Sequence, residues 1–261
     1  MGIEDIIKEA QAEGILWSLA VKTEVMKSFL GAVGRSKFAE DLVLQGGGAM
    51  KFVYGSPRYS VDLDFVLRTP RQNWLHFMEV GKVLPDLFGH PITSSPKKVG
   101  EKMLRIAMVL QLGNREALST KVEICAVPSQ SSHLEESQVG KVLVESPEEI
   151  VLDKLAANID RLRRKNFIKT HDVFDFFYVL KSLGRVPSWK QDDVEKKLQA
   201  YGTSCDSASV QSLLVWFEQE RHFEEFRKTL DGYLPQKTLQ KMDLRMAFKT
   251  VKEFIHTVFA Q

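Results

Sequence analysis

At 261 residues the chain is long enough for one large domain or two modest ones, and a composition 44% hydrophobic and 27% charged excludes a disordered polymer. Its formal net charge of +2, from 36 basic and 34 acidic residues, excludes a global field for polyanions, so any nucleic-acid surface has to be a local patch. Two cysteines, Cys125 and Cys205, exclude a disulfide framework and point to a reducing compartment.

Residues 3–40 read as helices. Ile3, Ile6, Ile7 and Ala10 recur at helical spacing, as do Val21, Val25, Phe29 and Leu30. Residues 41–45 form a short apolar strand that stops at Gly46-Gly47-Gly48, and residues 48–55 suit a helix broken by Gly55-Ser56-Pro57. A strand follows over 61–67 and a helix over 71–88, the latter carrying Trp74, Phe77, Met78, Leu84 and Leu87. Residues 104–112 and 121–127 alternate as strands around Gly113-Asn114, and 141–145 add a last strand. Ser146-Pro147-Glu148-Glu149 then combines a capping box with proline at the first helical position. Almost everything beyond it is helical in pattern, down to a final helix expected to bury Met246, Phe248, Val251, Phe254, Ile255, Val258 and Phe259. The organisation is a mixed α/β part over 1–145 and a helical part over 146–261. No run of about 18 apolar residues occurs, so no membrane span is expected. The first residues carry neither a signal-peptide pattern nor a myristoylation motif, so a cytoplasmic setting is expected.

Two features carry chemistry. In Val61-Asp62-Leu63-Asp64-Phe65 the aspartates share one strand face while their neighbours point to the core. Carboxylate heads about 5 Å apart repel by about 3 kcal/mol at an effective dielectric near 20. A hard divalent cation such as Mg²⁺ relieves that repulsion and keeps substrate phosphates as further ligands. Two solvated aspartates on an edge strand would look the same, but the glycine turn fourteen residues upstream argues against that reading. Glu123, in the alternating run 120–126, is the candidate third acid if its strand lies beside that of Asp62.

Three consecutive glycines weaken regular structure by about 0.5–1 kcal/mol each relative to alanine. Placed between a strand and a helix, they offer open backbone N–H groups to a phosphate. Neither a Walker A loop nor a dinucleotide fingerprint is present. Downstream, residues 154–171 hold six lysines and arginines against the single acid Asp160, with Lys154 and Arg161 on one helix face. Such a patch suits triphosphate or RNA backbone. Cations at a helix end are also expected on dipole grounds, which accounts for 163–165 better than for Lys154. Asp172 opens the next helix, where an acid is expected in any case. His76, His90, His133, His222 and His256 have no ligand spacing with one another.

Leu44-Gln45-Gly46-Gly47-Gly48-Ala49-Met50, then Tyr54-Gly55, Arg58, Ser60 and Asp62-Leu63-Asp64-Phe65, resembles the first motif of AbiEii-type nucleotidyltransferases, the toxins of type IV toxin–antitoxin systems. Val122-Glu123-Ile124 resembles the family's third-carboxylate strand. Glu149, Lys154-Leu155, Ala157, Arg161 and Asp172 with Asp175 resemble its helical motifs. The resemblance covers about residues 40–180. It implies an α+β fold, with a polymerase-β-like nucleotidyltransferase core of a small mixed sheet flanked by helices, plus a C-terminal helical bundle. It implies transfer of a nucleoside monophosphate from a nucleoside triphosphate to an RNA acceptor such as tRNA, with Mg²⁺ (or Mn²⁺), and a cognate antitoxin. By match, Asp62, Asp64 and Glu123 would hold the metal, with Lys154 and Asp172 in the catalytic set. Gly46, Gly47, Gly48, Arg58, Ser60 and Arg161 would bind substrate. Gly48 departs from a usual Thr or Ser, and His171 from a usual Arg. Competing readings are a protein or small-molecule acceptor, an inactive nucleotide-binding module, and an Asp-x-Asp glycosyltransferase, the last of which leaves the glycine turn unexplained.

Overall fold

The protein was studied as a computed structural model that describes residues 2–69, 74, 76–84, 86–113, 117–203 and 207–259. The chain divides into two compact units, Met1–Ser146 and Pro147–Gln261.

The first unit begins with two helices, α1 (Ile3–Glu13) and α2 (Trp17–Gly34). Helix α2 is buried on nearly every side, through Leu19, Val21, Val25, Met26, Phe29, Leu30 and Val33. A helix apolar over most of its circumference belongs inside a fold. It packs on a seven-stranded sheet of β1 (Leu42–Gln45), β2 (Asp62–Leu67), β3 (Ile92–Val99), β4 (Met103–Gln111), β5 (Ala117–Pro128), β6 (Ser132–Ser137) and β7 (Gly140–Glu145). The spatial order is β3-β4-β5-β2-β1-β7-β6. Strands β2 and β5 run parallel, as do β1 and β7, and the remaining pairs are antiparallel. One sheet face carries Leu42, Leu44, Leu63, Phe65, Leu104, Ile106, Val122 and Ile124, all buried. Phe29 of α2 meets Phe65 edge-on, with ring centroids 6.3 Å apart.

The short helix α3 (Gly46–Phe52) leaves β1 directly and packs on β1 and β2, beginning at the first glycine and not at residue 48. Where a helix was expected over 71–88, the structure has one 3₁₀ segment, Phe77–Val83, which buries Phe77 and Val80. Residues 70–73, 75 and 85 of that stretch lie outside the described residues, as do Asn114 of the expected turn and Cys205. The two edge strands, β3 and β6, were not anticipated. Their sequences, Ile-Thr-Ser-Ser-Pro-Lys-Lys-Val and Ser-His-Leu-Glu-Glu-Ser, lack the alternation of a half-buried strand. Polar side chains and a proline are what exposed edges carry, because they discourage pairing with another chain.

The second unit is helical: α4 (Pro147–Lys165), α5 (Thr170–Phe177) continuing into a π-type turn (Tyr178–Ser182), α6 (Gln191–Ala200), α7 (Ser207–Phe217), α8 (Glu220–Asp231), α9 (Gln236–Leu239) and α10 (Leu244–Phe259). Helix α5 packs on α8 and α10, and α4 on α6 and α7. Val251, Ile255 and Val258 of α10 are buried, whereas Met246 is 45% exposed and Phe254 and Phe259 are half-buried. The apolar stripe of α10 is therefore narrower than its sequence suggests. Lys197 of α6 is buried between Glu149 and Asp153 of α4, 3.0 Å from Asp153. The side chain of Glu149, expected at the helix cap, is engaged by Lys197.

Truncating Phe29→Ala removes the ring that closes α2 onto β2. We expect a loss of about 3–5 kcal/mol in unfolding free energy, read by urea titration followed by circular dichroism.

Candidate active site

On the face of the sheet opposite the apolar core, strand register assembles a row of polar side chains. Lys98 pairs with Arg105, Arg105 with Glu123, Glu123 with Asp64, and Asp64 with Gln45, across β3, β4, β5, β2 and β1. In the adjoining row Lys121 pairs with Asp62. Residues in register point to the same side of a sheet. Asp62, Asp64 and Glu123 therefore face one way, while Leu63, Phe65, Val122 and Ile124 between them anchor the strands in the core. The parallel pairing of β2 with β5 is what brings Glu123 beside Asp64 from a position 59 residues later in the chain.

The glycine turn is shaped around these side chains. Gly46 has φ +66°, in the region that favours glycine, and a Cβ there would lie 2.9 Å from Oδ2 of Asp64. A Cβ on Gly47 would lie 2.7 Å from Nη2 of Arg58 and 2.8 Å from Oγ of Ser60. A Cβ on Gly48 would lie 2.8 Å from Cδ2 of buried Leu63, so a threonine at this position would press on the β2 anchor. The departure at Gly48 thus has a packing reason. Arg58 and Ser60 are buried. Nη1 of Arg58 donates to the carbonyl of Tyr59, and the Ser60 hydroxyl donates to the carbonyl of Asp62, which fixes the entry into β2. In the first turn of α3 the N–H groups have no acceptor within the helix and carry its positive dipole end.

The carboxylates come with cations that sequence reading did not single out. Nζ of Lys121 lies 3.0 Å from Oδ2 of Asp62 and 3.4 Å from Oε1 of Glu123, and Nη2 of Arg105 lies 2.7 Å from that same Oε1. Partial burial disfavours the Lys121 ammonium, but the hydrogen bond and charge of Asp62, followed by Glu123, outweigh it and raise its pKa. Lys121 was legible as the residue two before Glu123 on one strand face. Arg105 was not, since only the β4–β5 register brings it there. An all-oxygen, carboxylate donor set half-sheltered on a sheet face suits a hard divalent cation.

The second unit holds a separate cluster. Nζ of Lys154 lies 2.6 Å from Oδ1 of Asp172 and 2.9 Å from Oδ2 of Asp175. Nη1 of Arg161 is 3.3 Å from Oδ2 of Asp172 and donates to Oδ1 of Asn158 at 2.8 Å. Asn158 in turn donates to Asp172 at 3.2 Å and accepts from the backbone N–H of Lys169. The i, i+4 and i+7 positions of α4 thus grip the first turn of α5. Burial alone would raise the pKa of Asp172. Lys154, then His171 and Arg161, outweigh it and hold the carboxyl well below the ordinary 3.8. Nε2 of His171 sits 3.8 Å from Oδ1 of Asp172, and its ring lies 5.8 Å from that of Tyr233.

So Asp62, Asp64, Glu123, Gly46, Gly47, Gly48, Arg58 and Ser60 come together in the first unit, and Lys154, Arg161 and Asp172 come together in the second. Of the histidines without ligand spacing, His222 stacks on Trp216 with centroids 4.4 Å apart.

A family model described as nucleotidyl transferase AbiEii toxin, type IV toxin–antitoxin system, matches residues 28–250. In structure the chain is similar to MenT4, a nucleotidyltransferase toxin of Mycobacterium tuberculosis, at TM-score 0.68 and 13% identity, covering 100% of this chain and 90% of that one. It is also similar to a putative nucleotidyltransferase of Helicobacter pylori, at TM-score 0.55 and 19% identity, with 92% and 94% of the two chains covered. A second Helicobacter pylori structure, JHP933, matches at TM-score 0.55 and 18% identity over 94% of each chain. At these identities the likeness is one of fold. No curated protein sequence matches the chain.

Two outcomes follow from this geometry. Gly46→Ala puts a Cβ against Asp64 in a left-handed conformation, and we expect a loss of at least about 1–2 kcal/mol by thermal or urea unfolding. Because Asp172 titrates lower folded than unfolded, its contribution is complete above the unfolded value of 3.8 and fades as pH falls below it. Between about pH 5 and pH 3 wild type should therefore lose more stability than Asp172→Asn, measured by urea unfolding at each pH.

Proposed function

The chain belongs to the AbiEii nucleotidyltransferase toxin family, and from that premise we propose that it moves a nucleoside monophosphate from a nucleoside triphosphate to an RNA acceptor such as tRNA, in the cytoplasm. It is a nucleotidyltransferase, and membership of a type IV toxin–antitoxin family implies a nucleotide substrate and an antitoxin partner. Among the described residues no helix is long and apolar enough to cross a membrane.

The observation that carries the reading is the three-carboxylate row beside a glycine turn whose first residue has a left-handed φ of +66° against Asp64. Asp62, Asp64 and Glu123 would hold Mg²⁺, or Mn²⁺, which when bound supplies charge neutralisation at the reacting phosphate. Gly46, Gly47 and Gly48 let Asp64, Arg58, Ser60 and Leu63 close against the start of α3, whose first N–H groups are proposed to meet the triphosphate. Glu123, held by Arg105 and Lys121, is proposed as the base for the acceptor hydroxyl proton. The acceptor oxygen then forms the new bond to the α-phosphorus and pyrophosphate departs. In the helical unit Lys154 and Arg161 are proposed to neutralise phosphate charge, with Asp172 and Asp175 holding Lys154 in place.

Purified protein supplied with Mg²⁺ and α-labelled nucleoside triphosphates should label total tRNA. Asp64→Asn should reduce that labelling at least about a hundredfold, since several kcal/mol of transition-state stabilisation depends on the metal ligands. Equal labelling by wild type and variant would defeat the site assignment. Label appearing on protein instead of RNA would change the acceptor class and leave the site intact.

A further inference from the structure

The ammonium of Lys121 bridges two of the three carboxylates, at 3.0 Å from Oδ2 of Asp62 and 3.4 Å from Oε1 of Glu123. Arg105 takes the same Glu123 oxygen at 2.7 Å. These are the oxygens a divalent cation would need, and an ammonium and a divalent ion cannot both lie within bonding distance of them, because the two cations repel and each carboxylate has few lone pairs on that side. The Lys121 side chain is 40% exposed, on a flexible four-carbon stem, so it has room to leave. Arg105 approaches from β4 on the side of Glu123 away from β2, and its planar fork is the less mobile of the two.

Resting on the metal-site reading above, we propose that Lys121 is a resident counter-cation of the carboxylate cluster, which an entering divalent ion must displace. It keeps Asp62 and Glu123 from repelling each other in the metal-free protein, and for the same reason it lowers the affinity of the site for metal alone. A nucleoside triphosphate carries several negative charges and offers a displaced ammonium new partners. Metal loading is thereby coupled to nucleotide arrival, and Lys121 acts as a positioning residue that sets this coupling.

The test uses the full-length protein and Mn²⁺ alone, with free Mn²⁺ followed by electron paramagnetic resonance at fixed pH and ionic strength. Lys121→Met should bind Mn²⁺ about tenfold more tightly than wild type, the scale on which one adjacent unit charge biases a carboxylate. Lys121→Arg should retain the wild-type affinity. A lysine serving only to hold the strands together predicts the opposite sign, a weaker site once it is removed. Equal or weaker binding by Lys121→Met overturns the inference while leaving the metal site standing. If neither protein binds Mn²⁺, the inference and the metal-site reading fall together. Should Lys121→Met fail to fold by circular dichroism, Lys121→Gln keeps a polar, neutral side chain and is held to the same outcomes.

Discussion

Like charges on one sheet face are the constraint around which the first unit is organised. Asp62, Asp64 and Glu123 stand on adjacent strands, in register, with no freedom to turn away while Leu63, Phe65, Val122 and Ile124 remain in the core. A one-residue slip of either strand would release the repulsion but would bring the apolar set into water and the acids into the core. The fold holds the acids together by burying what lies between them, and sets Lys121 and Arg105 against Asp62 and Glu123. Helix α2 is central because it covers the apolar side of the same strands, and Phe29 against Phe65 couples the core directly to the strand that carries both aspartates.

The glycine turn is subject to the same constraint from the other side. It carries little packing area of its own, yet each glycine meets a different neighbour: the Asp64 carboxylate, the Arg58 guanidinium with the Ser60 hydroxyl, and the Leu63 methyl. Space at these three positions has been given to neighbouring side chains, which draws the start of α3 tightly against β2. In the helical unit the logic is inverted. There the acids Asp172 and Asp175 are buried and the cation Lys154 is drawn to them, so charge balance and helix–helix registration are achieved by one network. Breaking one partner of such a network costs more than its direct contact, because the others remain buried without it.

Local pattern carried much of the architecture. The helix start at Pro147, the apolar residues of α2, the strands at 42–45, 62–67, 103–111 and 140–145, and the helical character beyond 147 are written in short-range residue pattern. The edge strands β3 and β6 were invisible for a physical reason: neither buries a residue fully, so their polar sequences carry little apolar alternation to read. Of the helix expected over 71–88, the described residues show the 3₁₀ segment Phe77–Val83, whose tighter winding still buries Phe77 and Val80. Met246 was misassigned because it lies on the apolar stripe at the start of α10, where the helix is exposed to water.

The sequence by itself determined the carboxylates, the glycines and the basic residues of α4, because their chemistry is written in residue type and short-range spacing. Asp62 and Asp64 share a strand face whatever the remainder of the chain does, and Gly46 to Gly48 form an open turn wherever they stand. Only the tertiary structure decided what these groups touch. Parallel pairing of β2 with β5 made Glu123 the neighbour of Asp64, antiparallel pairing of β4 with β5 supplied Arg105, and the packing of α5 on α4 drew Asp172 and Asp175 onto Lys154. Those partnerships depend on register between segments far apart in the chain, and register is set by which side chains the core accepts, a property of the assembled sheet and bundle that no local window contains.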